Sequence, residues 1–329
     1  MANGPLAMQA VFGLGYTAVD LFFILSGLIL TNVYRDLRLA QVPTFFLKRA
    51  LRLYPLHLVS LVALILIVTY PAWTATTLWA INWPEQLSSV LLIHPFLNVA
   101  PMANPPTWSI GVELVCYLAF PAALHVLRLN SSRLMATILV TCLLLVEYEV
   151  LRRVLGATQG IGAVLRGVAG FGLGMALCQL GTGIKARVGL ATFGESCGLI
   201  GVILATWANE PSAIPLCGAL LLFSLSFDSG VVADFLRLPC CVWLGRISFS
   251  IYLLHYPLIV AADRWLPVGA FLVGGTAGAL LRWAFLLAGL LALSTATYRF
   301  VEEPGRHLIR AATFAGVRRR SSAGRHLTP

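Results

Sequence analysis

Arg49 and Arg52 stand three residues apart in Lys48-Arg49-Ala50-Leu51-Arg52-Leu53-Tyr54-Pro55, a cationic cluster set between two apolar stretches. On a helix this spacing puts both guanidinium groups on one face. Each offers a planar fork of donors matched to phosphate oxygens. Arginines this close to hydrocarbon are costly unless they sit at the interface or hold an anion. One reading of the pair is a site for a phosphorylated ligand reached from the cytoplasm. The other is a set of ordinary positive-inside topology charges.

Two carboxylates stand where hydrocarbon is expected. Asp20 lies near the outer end of the apolar run Val19-Asp20-Leu21-Phe22-Phe23-Ile24-Leu25-Ser26-Gly27. A buried carboxylate must be paired or protonated, so Asp20 is a cap, a structural ion-pair partner or a catalytic acid. Ser26 and Gly27 suit close helix contact. Glu113 closes the run Asn104-Pro105-Pro106-Thr107-Trp108-Ser109-Ile110-Gly111-Val112-Glu113. The prolines stop any upstream helix, and Thr107 or Ser109 can cap the next one. Glu113 then lies about a turn into the membrane. Three roles are open to it: binding an acceptor hydroxyl, holding a catalytic base in place, or pairing with a buried arginine. Trp108 is either an interfacial anchor or an aromatic face on which a sugar ring stacks.

Tyr252 and His255 share a helix face in Leu244-Gly245-Arg246-Ile247-Ser248-Phe249-Ser250-Ile251-Tyr252-Leu253-Leu254-His255-Tyr256-Pro257. His255 falls near the middle of an apolar run, with a helix-bending proline two residues on. It is either bonded to neighbouring backbone or catalytic. His57, one turn past the basic cluster, and His94, in a short apolar segment, are weaker candidates. Tyr298-Arg299-Phe300-Val301-Glu302-Glu303-Pro304-Gly305-Arg306 reads as a helix end. Gly170 and Gly174 have the small-x3-small spacing of packed membrane helices.

The elements that position these groups are membrane helices. Hydrophobic residues make up 59% of the 329-residue chain and charged residues 11%, against about 25% charged in an ordinary soluble domain. Runs of about 20 apolar residues, the length that crosses a bilayer, fall near 14–34, 50–70, 107–127, 133–151, 164–180, 190–207, 213–228, 247–263 and 276–298. The expected fold is all-α, a polytopic transmembrane helical bundle of about nine spans. Ser88 to Leu97 is too short to cross and reads as a re-entrant or interfacial piece. Placing Arg35, Arg38, Lys48, Arg49 and Arg52 in the cytoplasm and alternating from there puts 18 of the 23 basic residues inside. Only Arg152, Arg153, Arg166, Arg264 and Arg282 fall outside. The net charge of +10 therefore follows from topology and the lipid bilayer, and calls for no nucleic acid. Arg318-Arg319-Arg320 suits anionic lipid heads. The seven cysteines read as reduced packing residues, and no pair has the spacing of a zinc or redox motif, so no metal is expected.

Five segments, in order, resemble acyltransferase family 3, the polytopic membrane O-acyltransferases that modify cell-envelope and secreted carbohydrates. They are Gly15 to Gly27, Arg49-x-x-Arg52-Leu53-Tyr54-Pro55, Trp108 to Glu113 with Tyr117 and Pro121, Leu244 to Pro257, and Tyr298 to Arg306. The resemblance implies that Arg49 and Arg52 engage the phosphates of acyl-CoA. It implies that the acyl group passes through the bundle to a hydroxyl of a carbohydrate or glycolipid acceptor on the outer face. Trp108, Ser109 and Tyr252 fall in motifs implied to bind substrate, and Glu113 and His255 in motifs implied to be catalytic. The implied location is the cell membrane, multi-pass, in the bacterial inner membrane. The expected organisation is an acyltransferase domain over 1–310 and a basic cytoplasmic tail over 311–329.

The family also carries an upstream helix with an arginine and, eleven positions later, a histidine regarded as catalytic. No histidine occurs here before His57, and about nine spans are one short of the family's ten. The charge-based orientation puts Met1 to Gly13 outside with no preceding helix. A positioned histidine contributes about 100- to 10,000-fold to such transfer. The expectation is therefore an N-terminally incomplete domain with little turnover as it stands. Two other classes fit a polytopic bundle: an inactive relative acting as a membrane scaffold, and a transporter, although no inverted repeat is visible.

Overall fold

Among the described residues every regular element is helical. The computed structural model describes residues 17–69, 83–97, 104–129, 132, 135, 136, 138–140, 142–144, 146, 160–185, 187–266 and 275–305. The helices are α1 (Ala18–Val33), α2 (Val42–Thr69), α3 (Trp83–Val90), α4 (Thr107–Leu129), α5 (Gly160–Gly181), α6 (Val188–Trp207), α7 (Ala213–Leu225), α8 (Val231–Leu236), α9 (Pro239–Trp265) and α10 (Gly275–Thr297). A π-helical turn, Tyr298–Glu302, continues α10. Met1 to Gly13, most of the span expected over 133–151, and the tail over 311–329 lie outside the described residues.

Six helices, α2, α4, α5, α6, α9 and α10, are long and apolar enough to cross a bilayer. α1 and α7 are apolar but shorter, at 16 and 13 residues. α7 stops short of the expected 228 because Ser226-Phe227-Asp228-Ser229-Gly230 is a turn, with Asp228 at φ 51° and Gly230 at φ 152°. α6 and α10 expose Leu190, Phe193, Ile200, Ile203, Leu281 and Phe285. Water would penalise those surfaces and lipid does not. The chain is a multi-pass membrane protein.

The described chain forms two compact units. The first takes Met1–Leu37, His94–Ala100 and Trp108–Val242. Its centre is α5, buried over most of its circumference. α1 lies against it on a stripe of Asp20, Phe23, Ile24, Gly27, Leu30 and Thr31, spaced by three and four. In lipid, helices associate by packing rather than by escape from water, so small residues set how close backbones come. A Cβ on Gly27 would stand 2.0 Å from the Phe171 carbonyl oxygen, and one on Gly174 would stand 1.9 Å from that of Ile24. The crossing is closed from both sides by glycine. α6 and α7 meet in the same way, where a Cβ on Gly198 would stand 2.6 Å from the Leu221 nitrogen.

The second unit takes Arg38–Ile93, Pro101–Thr107 and Trp243–Pro329. Here α2 starts at Val42, not near 50. Pro43 suits a first turn and the apolar residues after it carry the helix on, so the basic cluster lies within α2 and not at its mouth. α2 and α9 each hold an internal proline, Pro55 and Pro257. Proline has no N–H, so the carbonyls of Leu51 and Leu253, four residues back, lose their helical donors. The Leu253 carbonyl accepts from Asn104 Nδ2 at 3.0 Å. Gly305 packs against the Leu51 carbonyl, where an added Cβ would come within 3.4 Å. The closing motif thus meets the basic-cluster motif.

Candidate active site

In the first unit, Asp20 and Arg166 form an ion pair in which both side chains are fully buried. Arg166 Nη2 donates to Asp20 Oδ2 at 2.9 Å and Oδ1 at 3.0 Å, and Nε donates to Oδ1 at 3.2 Å. Such forked geometry adds direction to charge. The guanidinium also lies 5.2 Å from the centroid of the Trp108 ring, within cation–π range. The edge of Phe23 meets that ring at 6.2 Å. Trp108 is 5% exposed, which places it in the core rather than at the lipid interface. Of the roles open to Asp20, the structure gives it the ion pair. It also removes Arg166 from the outer topology charges, because its side chain faces inward from α5.

Glu113 is buried on α4. Its Oε1 accepts from Ser26 Oγ at 3.3 Å and from the Tyr117 hydroxyl, one turn on. Ser109 is buried on the same helix. The first and third motifs are therefore joined twice, by Ser26 on Glu113 and by Phe23 on Trp108. Tyr117 and Phe120 stand edge-on to Phe171 at 6.5 and 6.1 Å, so Phe171 seats α4 with its ring and α1 with its carbonyl.

In the second unit, Arg49 and Arg52 are both half-buried on α2. The Arg49 guanidinium lies 5.8 Å from the ring centroid of Phe45, one turn back. Arg49 shares the inward face of Phe45, Leu53, Leu56 and Ser60, spaced by three and four. On α9, His255 Nδ1 lies 2.7 Å from the Tyr252 carbonyl. A carbonyl only accepts, so Nδ1 carries a proton, and in the neutral ring Nε2 keeps the lone pair. The Tyr252 hydroxyl donates to the Pro106 carbonyl at 2.8 Å, and Thr107 Oγ1 donates to the Asn104 carbonyl at 2.7 Å. Ser250 Oγ donates to buried Glu302 at 2.5 Å, tying the fourth motif to the fifth. Glu113 and His255 belong to different units.

A sequence profile described as an acyltransferase domain matches residues 2–299. The chain belongs to acyltransferase family 3. The acyltransferase is 26% identical over 311 residues to Acyltransferase MdmB of Streptomyces mycarofaciens, covering 88% of this chain and 78% of that one. It is 22% identical over 326 residues to the peptidoglycan O-acetyltransferase OatA of Listeria monocytogenes, covering 88% and 51%. It is 27% identical over 312 residues to the exopolysaccharide production protein ExoZ of Rhizobium meliloti, covering 89% and 90%. The acyltransferase spans about half the length of the peptidoglycan enzyme. No solved structure matches it significantly. Among the described residues no cluster of three or more histidine, cysteine, aspartate or glutamate side chains could hold a metal ion.

Sequence reasoning passed over two buried charges of this acyltransferase. Arg166 counts among the outer topology charges in the sequence, though an arginine between Leu165 and Gly167 in an apolar run is a site hypothesis in itself. Glu195 on α6 is fully buried. Its Oε2 accepts from the Val232 and Ala233 amides at 2.9 and 3.4 Å, at the N-terminus of α8, where negative charge is favoured. Gly230 turns the chain toward it at φ 152°, and a Cβ there would stand 2.3 Å from Oε2. Glu195→Ala is expected to cost about 1–3 kcal/mol by leaving those amides unmet, and Gly230→Ala to melt early as well. Thermal unfolding in detergent reads both; unchanged midpoints would show that α8 is held by other contacts.

Proposed function

We propose that this acyltransferase takes an acyl group from a coenzyme A thioester held at Arg49 and Arg52 on α2 and passes it to a hydroxyl of an envelope or secreted carbohydrate across the cell membrane. The observation that carries the reading is the Arg49 and Arg52 pair. Two forks three residues apart, half-buried, with the Arg49 guanidinium 5.8 Å from the Phe45 ring centroid, suit phosphate where competition from water is reduced. Membership of an acyltransferase family supports this, as do relatives named for peptidoglycan O-acetylation and exopolysaccharide production. The domain over 1–310 carries the activity, and the tail over 311–329 rests on anionic lipid.

Transfer from thioester to alcohol needs a base near the hydroxyl and a polar support for the developing charge. His255, its proton held by the Tyr252 carbonyl, offers Nε2 as that base. Within the first unit, Glu113, braced by Ser26 and Tyr117, is the carboxylate we assign to catalysis. Trp108 and Ser109 shape the start of α4, and Tyr252 fixes the turn before it through Pro106.

The test is equilibrium binding of acetyl-CoA to the protein in lipid nanodiscs, which needs no turnover. Arg52→Ala is expected to weaken binding roughly 10- to 100-fold, the worth of one charge-assisted hydrogen bond. Arg52→Lys is expected to fall between, since it keeps charge and loses the fork. Equal affinity in all three, with helicity intact, returns the cluster to a topology role.

A further inference from the structure

The second unit holds a buried polar cluster that neither the arginine pair nor His255 uses. His57 is fully buried on α2, with Nε2 3.0 Å from the Ser89 carbonyl. Nε2 carries a proton, because the carbonyl can only accept, and in the neutral ring Nδ1 is then a lone pair. It has no hydrogen-bond partner among the described residues. One turn on, Ser60 Oγ donates to the His57 carbonyl at 2.8 Å and accepts from Asn104 Nδ2 at 3.3 Å. The other Asn104 N–H serves the Leu253 carbonyl that Pro257 left open. Both amide donors are thus spent. Asn104 Oδ1, on a fully buried side chain, also lacks a partner among the described residues and can only accept.

Buried side chains seldom leave acceptors unmet, and here Ser60 Oγ joins the His57 backbone to the Asn104 amide, two residues whose side chains each carry an unmet acceptor. The groups that form the cluster are neutral, so neither a cation nor an anion finds a counter-charge in them. An apolar chain would leave both acceptors unmet. A neutral molecule with O–H donors satisfies them. The place also fits: His57 follows Arg52 by five residues, about 7 Å along α2. Ser89 and Asn104 belong to the segment between α2 and α4, and the Ser89 contact brings that segment to the depth of His57.

We propose that His57 Nδ1 and Asn104 Oδ1 form a binding site for the hydroxyl groups of the acyl acceptor, a neutral polyol. The proposal rests on the reading that transfer goes to a carbohydrate hydroxyl. It is tested on the full chain in nanodiscs with 15N-labelled histidine, the His57 signals being assigned by their loss in His57→Phe, or in His57→Gln if the phenylalanine variant does not fold. Methyl glucopyranoside is the probe and its permethylated form the hydroxyl-free counterpart. The unprotonated Nδ1 signal is expected to shift saturably with the first and not with the second. His57→Gln, which keeps an amide N–H for Ser89, is expected to weaken glucoside binding about tenfold and leave acetyl-CoA binding unchanged. A signal that ignores the glucoside shows at most a structural water and overturns the proposal, as does an equal response to both sugars. If the Nδ1 shift appears but acetyl-CoA does not bind, the hydroxyl site stands and the donor reading falls.

Discussion

Arg166→Met is expected to remove most of the folded protein from the membrane, at a cost of about 3–5 kcal/mol. That is the usual penalty for orphaning one member of a buried ion pair, and Asp20 is fully buried with its carboxylate on the Arg166 fork. Asp20→Asn with Arg166→Met is expected to recover much of the loss, because no charge is then left in the core. Arg166→Lys keeps charge but not the fork, and is expected to fall between. Detergent-solubilised yield and thermal midpoint separate these cases. If the single and double variants melt together, the pair adds nothing and its burial has another cause. The double variant also isolates function: it folds without the cation over Trp108, so lost acyl transfer in a well-folded double variant assigns Arg166 to positioning that ring.

The helical, membrane-spanning character was legible because composition and 20-residue apolar runs report the solvent directly. Motif order was legible too, since Arg49, Glu113 and His255 stand in segments whose sequence is distinctive. Helix starts were less so: α2 begins at Val42 because Phe45, Phe46 and Leu47 extend the apolar helix upstream of the arginines, and a hydropathy window centred on the richer stretch beyond them misses these residues. Pairing was invisible. Nothing in the sequence links Asp20 to Arg166 across 146 positions, or Asn104 to the Leu253 carbonyl across 149. Pro257 does announce that a carbonyl is left open one turn back. Glu195 carried a similar signal, an acid deep in an apolar run, whose partner is a backbone end that only the fold brings near.

Gly27→Ala and Gly174→Ala are expected to destabilise the first unit by about 1–3 kcal/mol each, the cost of overpacking, and Gly174→Leu by more. The added carbon would meet the Phe171 or Ile24 carbonyl at 2.0 or 1.9 Å. A backbone oxygen inside a helix cannot rotate away, so α1 and α5 must separate. Gly172→Ala is the control on the same helix, since its Cβ would meet Leu143 Cδ1 at an ordinary 3.7 Å. It is expected to be neutral or slightly stabilising, because alanine is the better helix former. Thermal midpoints of the three alanine variants decide between a tight crossing and a loose one, and equal values would exclude the tight one. The consequence reaches the candidate site because Ser26, next to Gly27, donates to Glu113, while Asp20, two turns back, meets Arg166 on α5. Moving α1 outward therefore lengthens both contacts at once. Gly27→Ala is expected to reduce acyl transfer more than its stability loss alone accounts for, with acetyl-CoA binding measured alongside to show whether the donor site is spared.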